Sequence, residues 1–121
     1  MNPPSATPTF MFVFRSPVDW PDPAPEQMQQ SFQKWMNWIQ DMRAKGVYLA
    51  GDPLEDTPSK VLRGPGKITD GPFVEAKELV GGYMLIKAKD FAHAVEIAKG
   101  CPFDTGGGQV VEVRQLRPIP M

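Results

Sequence analysis

Two strand–helix–strand units in about a hundred residues predict an α+β fold, a ferredoxin-like sandwich with both helices on one face of a four-stranded antiparallel sheet. Three observations carry that prediction. Short apolar strand-like runs open and close each unit. Two helix-like stretches have apolar residues at steps of three and four. A glycine-bearing hairpin signal separates the units.

The elements follow in order. Residues 1–8 are rich in Pro, Ser and Thr and read as a flexible N-terminal segment; residues 9–121 read as a single domain. Thr9 to Arg15 reads as a strand, with Phe10, Phe12 and Phe14 on one face and Met11 and Val13 on the other. A proline-rich loop follows over residues 16–25. Pro25 or Glu26 then starts a helix carrying Met28, Phe32, Trp35, Met36, Ile39 and Met42 as its core stripe, with Gly46 as the stop. Trp38 falls off that stripe, which suggests an edge or an interface. Val47 to Ala50 reads as a second strand turned by Gly51-Asp52-Pro53.

Lys60 to Arg63 and Lys67 to Thr69 flank Gly64-Pro65-Gly66 and predict a small hairpin arm. A tight turn is expected at Asp70-Gly71-Pro72, then a charged connection over Glu75 to Glu78. The glycine pair Gly81-Gly82, which suits a bend or close packing, opens a central strand to Lys87. Asp90 suits the N-cap of a second helix with Phe91, Ala94, Val95 and Ala98 inward, ended by Gly100 and Pro102. Gln109 to Leu116 closes the fold. There Val111 and Val113 share one face, and Val110, Glu112, Arg114 and Leu116 share the other.

This layout has a consequence for assembly. Helices cover one sheet face, yet the first and central strands are apolar on both, and a bare apolar sheet is a sticky surface. A second copy packed sheet to sheet removes the problem, so a homodimer around a shared core is expected.

Bulk properties exclude several classes. A formal net charge of −1 provides no basic field for nucleic acid or an anionic membrane. No apolar run approaches the roughly 20 residues of a membrane span. The chain opens without a secretory signal pattern and has a lone Cys101, which points to a reducing, cytoplasmic setting. One Cys and one His make no zinc set, so no metal and no cofactor are expected. The glycine clusters lack the Lys-Ser/Thr sequel of a phosphate loop.

The runs Asp70-Gly71-Pro72-Phe73, Glu75-Ala76-Lys77-Glu78, Gly81-Gly82-Tyr83, Cys101-Pro102 and Val111-Glu112-Val113-Arg114 resemble the YCII-related, or DGPF-domain, family. The resemblance spans Phe10 to Arg117. It implies a dimeric α+β barrel and says much less about activity. Shorter relatives carry a His–Asp pair in the cleft. Here the single histidine, His93, falls on the second helix, away from the DGPF turn.

Asp70 is the candidate catalytic residue. It admits two roles that can coexist: a turn carboxylate, or an acid or base in a cleft. Arg114, Glu112, Glu78 and Tyr83 are the candidate ligand-binding residues, Arg114 as the holder of an anionic group. Glu112 and Arg114 form either a plain surface ion pair or a polar pair at a pocket mouth. Two functions remain open: a small enzyme acting on a small, partly apolar molecule, or a non-catalytic ligand-binding or regulatory interaction module.

Overall fold

The computed structural model describes residues 7–19, 24–71, 78–103 and 108–119. Most of the expected N-terminal segment, the DGPF turn beyond Gly71 and the charged run Glu75 to Lys77 lie outside them. Within them the fold is α+β, with a four-stranded antiparallel sheet and two helices. The order is β1 (Thr9–Pro17), α1 (Pro25–Ala44), β2 (Tyr48–Pro53), β3 (Lys60–Leu62), β4 (Ile68–Asp70), β5 (Glu78–Lys87), α2 (Phe91–Lys99) and β6 (Val110–Gln115). The sheet runs β2-β5-β1-β6, and β3 and β4 pair separately as the hairpin arm.

The alternation in β1 determines where the core forms. Phe10 and Phe12 are fully buried, and their sheet neighbours Met84 and Ile86 on β5 are 4% and 0% exposed. Each such side chain contributes roughly 1.5–3 kcal/mol by leaving water. Both helices reach this face. Trp35 of α1 stands edge-on to Phe14 at 5.2 Å, and Phe91 of α2 meets Phe10 at 6.2 Å. Ala94 and Ala98 are buried in the same cluster, where small side chains let α2 approach the sheet closely. Met11, Val13 and Leu85 alternate to the opposite face, which neither helix contacts through this cluster, and are only half-buried.

The helix ends follow their sequence signals. Pro25 occupies the first turn of α1, and the Gln27 side chain accepts the Ala24 N–H at 3.0 Å. Gly46, just past α1, has φ +73°, a conformation that glycine adopts without strain. Asp90 accepts the His93 N–H at 2.8 Å, and His93 Nδ1 accepts the Lys89 N–H at 2.9 Å.

Three expectations need correction. Gly51-Asp52-Pro53 does not turn the chain: it continues β2 along β5. The reason is close approach. A Cβ on Gly51 would lie 2.8 Å from the Tyr83 carbonyl oxygen, and one on Gly82 would lie 3.1 Å from that of Asp52, so a glycine on each strand lets the two backbones meet there. Met28 and Phe32 are not core residues: they are 57% and 65% exposed, because α1 engages the core only from Trp35 onward. Trp38, in contrast, joins the core and stands edge-on to Trp35 at 6.0 Å.

Candidate functional site

Strand register fixes what the open sheet face presents. One row across the sheet reads Asp52, Tyr83, Val13, Glu112; the next reads Ala50, Leu85, Met11, Arg114. Arg15 follows two residues after Val13, beside Val80 and Val110. The middle of this face is apolar and its rim is polar.

Three of the expected ligand-binding residues, Glu112, Arg114 and Tyr83, therefore share one surface. Glu112 stands between two guanidinium groups. It accepts from Arg15 at 3.1 Å and lies 3.9 Å from Arg114. Arg114 keeps 72% of its side chain exposed, so most of its donors face solvent. Glu112 and Arg114 form a surface ion pair, and Arg15 joins it to make a triad of two cations and one carboxylate. On the other side of the apolar strip, the Tyr83 hydroxyl donates to Asp52 at 3.4 Å.

Of the remaining two expected residues, Glu78 lines a cleft beside that face and Asp70 stands outside its lining. The cleft has a volume of about 390 Å3; Arg15, Leu54, Lys60, Glu78 and Val80 are among its walls. Glu78 opens β5 and is exposed there. Asp70 ends β4, where its carboxylate accepts from Lys60 Nζ, a cleft group, and 84% of its side chain is exposed. Arg15 joins the two regions, since it lines the cleft and bonds Glu112.

Arg15 and Asp52 are the site residues that sequence reasoning missed. Arg15 had a signal. It ends an apolar strand at the same parity as Met11 and Val13, on the face left without helices. Asp52 had none once its segment was read as a turn.

The usual nucleophile and base residues lie elsewhere. Cys101 is 6% exposed in the core, and burial pushes its thiol up to about 12, which keeps it protonated and unreactive near neutral pH. His93 serves the N-terminus of α2. Among the described residues no three His, Cys, Asp or Glu side chains are grouped to hold a metal ion, and no helix is long and apolar enough to cross a membrane.

A search of curated proteins finds no match. The model of one family, the YCII-related domain, matches residues 11–118, from Met11 on β1 past the end of β6. That span takes in every element described above apart from the first two residues of β1, and with it both the open face and the cleft. The chain belongs to the YCII-related domain family.

Proposed function

We propose that the protein is a homodimer whose two sheets pack face to face, and that the space between them binds a small, partly apolar anion. In this reading each protomer is a ferredoxin-like sandwich, residues 9–121 form one domain, and the pair is a dimeric α+β barrel. The observation that carries it is the open face, apolar along Met11, Val13 and Leu85 and edged by Arg15, Glu112 and Arg114. The strand order β2-β5-β1-β6, with both helices on one side, supports the sandwich. The unmatched apolar strip supports the twin copy. Two guanidinium groups sharing one carboxylate leave a local excess of positive charge, which supports an anionic ligand. The lone buried thiol supports a cytoplasmic setting.

Binding without turnover is the reading these residues favour. The chain's one histidine is engaged at the start of α2, so no imidazole serves the open face as a base. A catalytic reading rests on Asp70 as acid or base, held beside the cleft by its pair with Lys60 of the cleft wall. Sedimentation at micromolar concentration is expected to give a mass near twice 13.4 kDa. In a thermal-shift screen of small aliphatic and aromatic carboxylates, at least one is expected to stabilise the wild type and not Arg114→Ala. A monomer would overturn the dimer, and equal shifts in both proteins would overturn the anion site. Turnover of a bound acid that disappears in Asp70→Asn would instead establish the catalytic reading.

A further inference from the structure

The hairpin arm has no place in the four-stranded sheet. Among the described residues its strands pair with each other and with no other strand, in the register Lys60 to Asp70, Val61 to Thr69 and Leu62 to Ile68. Its turn is closed by the Arg63 N–H to Lys67 carbonyl bond at 2.9 Å and the Lys67 N–H to Gly64 carbonyl bond at 3.1 Å, so the tip is a formed element. The two arm faces differ. Val61 turns to the protomer's own cleft and is half-buried. The opposite pair, Leu62 and Ile68, is 68% and 57% exposed, two large aliphatic side chains side by side in water. The cleft at the arm's base carries the complementary character. Leu54, Leu79 and Val80 give it apolar walls, and the carboxylates of Glu55, Asp56 and Glu78 outnumber the cations Arg15 and Lys60 that share the lining, while the arm tip carries Lys67.

We infer that the arm of each protomer reaches across the dimer and seats Leu62, Ile68 and Lys67 in the partner's acidic, apolar cleft. The inference rests on the sheet-to-sheet dimer proposed above and names the element that locks it. Reach permits it. The three strand residues Lys60–Leu62 span roughly 10 Å before the turn begins, about the spacing of packed sheets. The arm also starts on the correct side, because its base shares the cleft with Arg15 of the open face. Area favours it as well. A stable interface buries roughly 800 Å2 of accessible surface on each partner, and the exposed Leu62 and Ile68 of the arm add apolar area to what the sheet face supplies. Two arms exchanged about the same two-fold axis enlarge that contact symmetrically, as an isologous interface requires.

Zero-length coupling of amines to carboxylates tests this on protein co-refolded from equal parts of 15N-labelled and unlabelled chains. Mixed-isotope links from Lys67 to Glu55, Asp56 or Glu78 are expected, and Leu62→Asp with Ile68→Asp is expected to raise the dimer dissociation constant at least tenfold. A dimer whose Lys67 links are all within one chain, with an unchanged dissociation constant in the double variant, overturns the arm exchange and leaves the sheet-to-sheet reading intact. A monomer in sedimentation overturns the dimer reading itself and the arm exchange with it.

Discussion

Arg15 connects the two halves of the candidate site, and its pair with Glu112 shows how exposure limits what a contact is worth. The two side chains are 34% and 42% exposed, so the pair sits where water screens it and contributes at most about 1 kcal/mol. Glu112→Gln is therefore expected to lower the urea-unfolding free energy by less than about 1 kcal/mol while tightening anion binding, since it removes the competing carboxylate. Titration of a bound carboxylate against both proteins checks this, and weaker binding by the variant would contradict it. Cys101 behaves in the opposite way, because burial controls it. Its thiol rises from 9.0 to about 12 in the folded chain. The unfolded chain loses that proton first, so the thiol adds no pH dependence below about 9, and stability falls as pH rises from there toward 12. The limiting slope for one proton is about 1.4 kcal/mol per pH unit. Subtracting the same curve for Cys101→Ala isolates this contribution from tyrosine and lysine titration. At this scale the sequence already revealed Glu112 and Arg114, because strand alternation alone places them on one face. It did not reveal their third member, since nothing local says that Arg15 lies one strand away from Glu112.

Elements were legible where a local signal sets them and obscure where a neighbour does. Asp90 is readable as a cap because capping chemistry is contained within four residues, and Asp90→Ala is expected to cost about 1 kcal/mol, a few degrees in melting temperature. The 3.6-residue stripe of α1 was equally readable, but a stripe does not say how far along its length a helix meets the sheet. Phe32 and Trp35 look alike in that pattern. The first is 65% exposed and the second packs on Phe14. Phe32→Ala is accordingly expected to change the unfolding free energy by under about 0.5 kcal/mol, and Trp35→Ala to lower it by about 3 kcal/mol. Similar losses would refute the partial docking of α1. Asp52 was misplaced for a related reason. Gly-Asp-Pro is turn chemistry in isolation, and only the close approach of β5 makes the glycine a strand residue. Gly51→Ala is expected to cost about 1–3 kcal/mol, since the neighbour it meets is backbone that cannot swing aside.

The whole molecule is governed by an asymmetry between its two sheet faces. One is sealed by aromatic and aliphatic side chains from both helices, and the other carries Met11, Val13 and Leu85, over which no helix packs among the described residues. The periodicity of the strands and the count of helices make this imbalance readable in the sequence. What they left open is how a second copy would sit, because that depends on the arm and the rim charges. Val13 is the position that discriminates. It lies between Tyr83 and Glu112 in the middle of the bare face, so in a lone protomer a lysine there would stand in water beside a carboxylate and cost little. Between two packed sheets the same ammonium would be desolvated, and twice over, once from each copy. Val13→Lys is expected to leave the circular dichroism spectrum of the protomer intact and to convert the dimer to a monomer in sedimentation, because a buried charge without full pairing costs several kcal/mol. Ala50→Lys, on the edge strand of the same face, is expected to weaken the dimer much less. If both variants sediment as the wild type does, the bare face is not the one that a partner hides.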